Sequence, residues 1–197
     1  MPHLVADDWS FEIFYKEVGE FYNNLIKGKK PAFKRPDFQY TDYVKWERDN
    51  IQGERLNKQL TYWKYKLMGA PEVLNLSITK KRKNKSTSHG KHYNLNISKD
   101  LCDTLHKTSE EKGVTRFVLL LAAYKLLLHN YSLEDKIVVG TPIANRSLED
   151  TENLIGFFSN TLALCTDCSE NPSCTEFINR TKQTVLESYD YQDTPID

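Results

Sequence analysis

Residues 115–128 read Thr-Arg-Phe-Val-Leu-Leu-Leu-Ala-Ala-Tyr-Lys-Leu-Leu-Leu. Thr115 is a plausible N-cap, and the helix that follows is apolar on most sides. Such a helix must be covered by more than one neighbour, so the chain is expected to fold in layers. The surrounding pattern supplies the layers. His92 to Ile97 alternates like a half-buried strand. Ser98 then caps a helix that carries Leu101 and Leu105 and ends at Gly113. Lys136-Ile137-Val138-Val139 is a β-branched strand ending at Gly140, with a loop over Thr141 to Arg146. A glycine-bearing turn, Ile155-Gly156-Phe157-Phe158, leads to a strand from Asn160 to Leu164. Ser173 and Glu176 have the spacing of a capping box, and the helix after them carries Phe177, Ile178, Val185, Leu186 and Tyr189. Strand, helix, helix, strand, strand, helix is an α/β order. Residues from about 90 onward read as one coherent lobe.

The first part of the chain is different. His3 to Ala6 reads as a strand end. From Ser10 to Ile26, Phe11, Phe14, Tyr15, Val18, Phe21, Tyr22 and Leu25 recur at helical spacing, which predicts one buried face, with Ser10 as N-cap. Gly28 and Pro31 stop this helix, and residues 27–36 form a basic linker. A second helical region runs from about Thr41 to Leu67, aromatic-rich, with a weak point at Gly53. Val73 to Leu76 reads as a short strand. The cluster Lys80 to Lys85 reads as a solvated loop, with an anion- or carrier-protein-binding patch as the sharper reading.

Charge and cysteine content narrow the function. The 27 basic residues balance 27 acidic ones, which removes the electrostatic footprint of a nucleic-acid binder. No apolar run approaches the ~20 residues that span a bilayer, and the first residues lack the pattern of a signal peptide. The expectation is a cytoplasmic protein. Cys165-Thr166-Asp167-Cys168 has the C-x-x-C spacing but lacks two further ligands at similar spacing. The four cysteines are therefore read as reduced and structural, with no metal.

The residues that could carry chemistry lie in four segments: His3-Leu4-Val5-Ala6-Asp7 with Trp9-Ser10; Gly140-Thr141-Pro142 with Asn145-Arg146; Ile155-Gly156-Phe157-Phe158-Ser159-Asn160-Thr161-Leu162; and Gln192-Asp193-Thr194-Pro195. A histidine at a strand end can serve as a base, and a nearby aspartate can orient loops or pair with an arginine. No single segment is specific. In this order, with the Tyr-Trp-rich helix between, they resemble the condensation domains of nonribosomal peptide synthetases. The resemblance runs over essentially the whole chain. It implies an α/β, chloramphenicol acetyltransferase-like lobe, a CoA-dependent acyltransferase-like mixed sheet packed with helices. It also implies that this is about the second half of the domain, with the first lobe largely missing and the end cut short. In those terms residues 1–35 are the end of the first lobe, 36–88 a helical and basic-loop connection, and 89–197 the second lobe.

The resemblance implies amide-bond formation. An aminoacyl amine on one carrier protein attacks an acyl or peptidyl thioester on another. The second histidine of the family's H-H-x-x-x-D-G motif maps to His3, which would position or deprotonate the amine. Asp7 maps to the motif aspartate, with a structural role and Arg146 as its expected partner. Asn160 falls near the tunnel and is expected to donate to the developing oxyanion. Gly140, Gln192 and Asp193 are expected to be structural at the site. No cofactor is expected on the chain itself, since phosphopantetheine would arrive on partner carrier proteins. The missing first half of the domain is a further expected partner, and the isolated chain is expected to need it. Nucleic acid and membrane are not expected partners. The sequence departs from the family's pattern at Pro2 for the first motif histidine, Asp8 for the motif glycine, Tyr191 for the histidine before Gln-Asp, and Cys165 for a common arginine. The other readings are a non-catalytic remnant, or a carrier-protein-binding module that keeps the fold without an active site.

Overall fold

The computed structural model describes residues 4–31, 35–76 and 90–194. In chain order they form α1 (Asp8–Ile26), α2 (Tyr40–Asn50), α3 (Gly53–Leu67), α4 (Lys99–Glu111), α5 (Arg116–Ser132), β1 (Lys136–Ile143), a short 3-10 turn (Glu149–Thr151), β2 (Asn160–Asp167) and α6 (Cys174–Asp190). The chain divides into two compact units. The first comprises Met1–Lys66, Gly140–Ala163 and Tyr191–Asp197, the second Leu67–Val139 and Leu164–Asp190.

In the second unit α5 packs on both α4 and α6. Its core is Ala122, Ile137, Cys168 and Phe177, with Leu74, Leu126, Leu128, Val139 and Ile178 packed against it. The α5 helix starts where its sequence directs: the Thr115 hydroxyl accepts from the Val118 N–H at 3.2 Å. Ser98 caps α4 in the same way, accepting from Leu101 N–H. Ser173 accepts from Glu176 N–H at 3.2 Å, while the Glu176 carboxylate turns to Arg180 at 2.7 Å. Lys125 is fully buried, its ammonium donating to Leu164 O at 2.8 Å and Thr166 Oγ1 at 2.6 Å. Cys165 and Cys168 are buried, Cys102 and Cys174 are exposed, and all four are thiols rather than disulfides. Burial pushes the Cys168 thiol up to about 11, so it stays protonated at neutral pH.

β1 and β2 pair with each other in a two-stranded sheet. Cys168 N–H donates to Asp135 O, while Gly140 lies beside Thr161, so the numbering rises on one strand as it falls on the other. Residues 136–139 and 164–167 belong to the second unit, and 140–143 and 160–163 to the first.

Several expectations are corrected. β1 does not end at Gly140 but continues through Pro142 to Ile143, and β2 continues to Asp167. Residues 92–97 and 73–76 are not strands. Tyr93 and Leu95 are 89% and 74% exposed, and alternation makes a strand only where a neighbour takes up the ladder. The region expected as one helix from 41 to 67 is two, separated at Ile51 and Gln52, and Gly53 sits at φ +57°. Buried residues lie on one face of α5: Val118, Leu121, Ala122 and Lys125. Phe117, Leu120, Tyr124 and Leu127 face outward, so the helix is not covered on most sides. Apart from the half-buried Phe11, the apolar positions of that stripe on α1 are likewise exposed, Tyr15, Tyr22 and Leu25 among them, and Ser10 is its buried residue. Leu4 and Val5 form a turn rather than a strand end. His3, Pro2, Pro195 and the Lys80–Lys85 cluster lie outside the described residues. No helix among the described residues is long and apolar enough to cross a membrane.

Candidate functional site

The first unit holds two neighbouring clusters, one built on Asp7 and one on Asn160. Asp7 caps α1, with an extended backbone at φ −106° and ψ 178°. The cap is thus three residues earlier than Ser10. Ser10 is instead in the third helical position, where its N–H donates to Asp7 Oδ1 at 2.9 Å. Asp8 has ordinary helical backbone, and its carboxylate lies at the positive end of the helix.

Asp7 is 1% exposed and is surrounded by donors. The Ser10 hydroxyl lies 2.6 Å from Oδ1, Phe158 N–H donates to Oδ2 at 3.1 Å, and Arg146 Nη2 donates to Oδ1 at 3.0 Å. Ser10 is shared further. Its oxygen accepts from Gly156 N–H and from Arg146 Nη2, both at 3.1 Å, and Gly156 O is 2.8 Å away. Arg146 completes the node. Its Nη1 donates to Leu154 O at 2.8 Å and to Thr151 O, and the guanidinium lies 4.1 Å over the Phe158 ring. Trp9 covers it from another side at 5.7 Å and donates from Nε1 to Glu152 O. The Arg146 side chain is 2% exposed. Two segments 139 residues apart are thereby fixed to each other, and both to the 154–159 turn.

Burial pushes the Asp7 carboxyl up, but the Ser10 hydroxyl and N–H, the Phe158 N–H and the Arg146 charge outweigh it, so the group sits below its ordinary value. The stabilisation is full above the unfolded value of about 3.9 and is lost as pH falls through the depressed folded value. Urea midpoints measured from pH 7 to pH 2 are expected to fall below about pH 4. Asp7→Asn should flatten that part of the profile; an unchanged slope would remove Asp7 as its source.

Phe158 joins this node to an aromatic cluster on α2. Tyr43 lies 4.7 Å from the Phe158 ring, and Tyr40 meets it edge-on at 5.1 Å and 84°. Tyr40 donates its hydroxyl to Phe157 O at 2.8 Å. Burial, with the Glu47 and Asp7 charges, pushes the Tyr40 phenol up, and burial with Glu47 does the same to Tyr43. Both are therefore neutral phenols at neutral pH.

The second cluster is built on the segment 191–194. Asn160 donates its side-chain amide to Gln192 O at 2.9 Å and Thr194 O at 2.8 Å, and its carbonyl oxygen accepts from Thr161 N–H. Both amide hydrogens are thus used, and donation to an oxyanion would require releasing one of them. From the other side α3 grips the same segment. Arg55 pairs with Asp193 at 2.6 Å, Gln59 donates to the same carboxylate oxygen at 3.0 Å, and Thr194 donates to Gln59 Oε1. Trp63 donates to Tyr191 O, and Tyr62 stacks on Tyr191 at 3.9 Å and 4°. A cleft of about 380 Å³ lies between the two clusters, lined by Tyr40, Tyr43, Phe158, Asn160 and Asp193 among others.

The structure therefore brings Asp7 to Arg146, and Asn160 to Gln192 with Asp193 alongside. Gly140 is on β1, with room for a Cβ at 3.5 Å from Thr161 Cγ2. Ser10 and Gly156 lie in segments that the sequence singles out, but their bonds to each other do not follow from it, and the α3 residues Arg55 and Gln59 carry no signal of their own there. The aromatic density of α2 and α3 was the available signal, since buried tyrosines and tryptophans need polar partners.

A family model described as the Condensation domain matches residues 1–197. A linear gramicidin synthase of Brevibacillus parabrevis is 42% identical over 197 residues, all of this chain and 2% of that protein. Among solved structures, the X-domain from teicoplanin biosynthesis superposes with a TM-score of 0.88 at 26% identity, over 98% of this chain and 44% of that one. It superposes with 0.87 in its complex with OxyB. The first condensation domain of the calcium-dependent antibiotic synthetase, in complex with a substrate analogue, gives 0.80 at 20% identity and 44% coverage. The chain thus spans less than half of the solved domains and a small fraction of the curated relatives. Its fold is the chloramphenicol acetyltransferase-like α/β fold of these neighbours. With its family model matched from end to end, this chain belongs to the condensation domain family.

Proposed function

We propose that the chain supplies the second half of a site that joins an aminoacyl amine to an acyl or peptidyl thioester. The observation that carries this reading is the buried Asp7–Arg146 node. It anchors the His3-x-x-x-Asp7 motif to the 154–159 turn from one end. His3 then positions or deprotonates the attacking amine, which becomes the new amide nitrogen as the thioester C–S bond breaks and the thiol leaves with a proton. Both substrates arrive on the phosphopantetheine arms of carrier proteins, and a first lobe supplies the other wall. Asp7 and Arg146 act by holding backbone. Asn160, whose amide is committed to the Gln192 and Thr194 carbonyls, acts by holding the 191–194 segment, with Gln192 and Asp193 in that structural role.

The experiment incubates acyl- and aminoacyl-loaded carrier proteins with the chain, with and without a supplied first half, and reads the amide product by mass spectrometry. Product is expected when the first half is present, and His3→Ala should abolish it. No product under any arrangement, with the chain folded, would overturn the catalytic reading. A second reading has one specific support: the X-domain that superposes at 0.87 was solved holding OxyB. On that reading the chain binds a protein partner without chemistry, and retained carrier-protein binding without product would favour it.

A further inference from the structure

The inner face of α5 is buried in the second unit, but among the described residues nothing covers its outer face. Phe117, Leu120, Tyr124, Leu127 and Tyr131 recur there at alternating steps of three and four, and each is between 42% and 62% exposed. Such steps keep the side chains on one line along a helix, the seam that a second helix fits by setting its own side chains between them. The order of types is regular too. Aromatic residues hold the first position of each heptad, Phe117, Tyr124 and Tyr131, and leucines the fourth, Leu120 and Leu127. A second copy of the helix, laid antiparallel, brings first positions against fourth positions, so every layer pairs an aromatic ring with a leucine. Large side chains opposite smaller ones give layers of even volume. A parallel pair would set ring on ring and leucine on leucine, in layers of unequal size.

Charge does not oppose this pairing. No acidic residue lies on α5, and the Lys125 ammonium is turned inward to Leu164 O and Thr166 Oγ1. Ala123 and Asn130, both uncharged, are exposed beside the seam. In the antiparallel pair Arg116 of each copy lies by the C-terminal turn of the other α5, the negative end of that helix. With 27 basic and 27 acidic residues the chain carries no net charge to keep two copies apart. The five side chains expose on the order of 500 Å² per copy, taking about 200 Å² for a whole aromatic side chain. That is short of the ~800 Å² per partner of a standard interface, which sets the expected strength. We propose that the outer face of α5 docks a second copy of this chain, helix against helix, as a weak dimer that forms with rising concentration.

Sedimentation velocity of the full chain from micromolar to submillimolar concentration tests this. The weight-average mass is expected to climb from one chain toward two. Tyr124→Glu puts an unpaired carboxylate into a central layer of each copy and should weaken dimerisation at least about tenfold. Its circular dichroism should be unchanged, because the side chain is half exposed. Tyr22→Glu, on the equally exposed stripe of α1, is the control and should leave the dimer intact. A chain that stays monomeric throughout, or a dimer that survives Tyr124→Glu or is lost with Tyr22→Glu, would overturn the proposal. If Tyr124→Glu does not fold, hydroxyl-radical footprinting of the unaltered chain decides: Tyr124 and Tyr131 should lose reactivity as concentration rises, while Tyr15 and Tyr22 keep theirs. Protection of Tyr124 and Tyr131 by a supplied first half, and not by a second copy, would assign the face to that lobe and sink the dimer. No turnover is read, so the condensation reading stands or falls separately.

Discussion

Replacing Arg146 with alanine is expected to cost about 3–5 kcal/mol of folding stability, the range for removing one member of a buried ion pair. The reason is the number of groups left behind. Asp7 stays buried at 1% exposure with its charge no longer balanced. The Thr151 and Leu154 carbonyls lose their donor, and a buried acceptor without a partner costs about 1–3 kcal/mol. The Phe158 ring also loses the guanidinium that lies 4.1 Å over it. Against a typical stability of about 5–15 kcal/mol, that is enough to unfold much of the population. Arg146→Lys should recover part of the loss. An ammonium can face Asp7, but it lacks the planar fork that here reaches two backbone carbonyls, a carboxylate and a hydroxyl. Urea unfolding of the three proteins checks the order. Equal midpoints for the lysine and alanine variants would mean that the fork geometry contributes nothing.

The second large effect is expected at Gly156. A Cβ there would collide with Tyr40 Cδ2 and lie 2.8 Å from Cγ and Cε2. Relief by moving the ring is restricted. Its hydroxyl is bonded to Phe157 O, one edge meets Phe158, and its face lies against Tyr43 at 6.2 Å. Relief by moving the backbone is no easier, because Gly156 N–H and C=O are both engaged with Ser10. Gly156→Ala should therefore cost at least about 3 kcal/mol, the upper end of overpacking penalties. Gly140→Ala is the matched control. Its Cβ would sit at an ordinary 3.5 Å from a methyl group, and the change should be nearly neutral. The double variant Gly156→Ala with Tyr40→Leu should recover stability relative to Gly156→Ala alone if the ring is the obstacle; no recovery would place the strain elsewhere.

These two sites show where the sequence is informative. Local signals were legible because their physics is local. The caps at Ser98 and Thr115 need only a hydroxyl and the next turn. The pairing of Asp7 with Arg146 was expected only because the resemblance brings their two segments together as an ion pair, and the structure shows that pair to be buried. Other features depend on distant neighbours. The requirement for glycine at 156 comes from a ring on α2, whose hydroxyl bond spans 117 residues. The gripping of Asp193 by Arg55 and Gln59 spans 138 and 134 residues. The alternation at 92–97 describes a strand that the described residues do not pair. The apolar stripe of α1 was read as a buried face, yet Tyr15 and Tyr22 are 68% and 63% exposed. Amphipathicity reports that a face can be buried, and the cover has to come from elsewhere.

Asp7 and Arg146 act as one unit that fixes the start of α1 to the turn at 154–159. A double-mutant cycle with Asp7→Asn and Arg146→Met, read by urea unfolding, tests it most directly. A coupling of about 2 kcal/mol is expected, with the double variant more stable than the sum of the single losses implies. Additive losses, with coupling below about 0.5 kcal/mol, would contradict it.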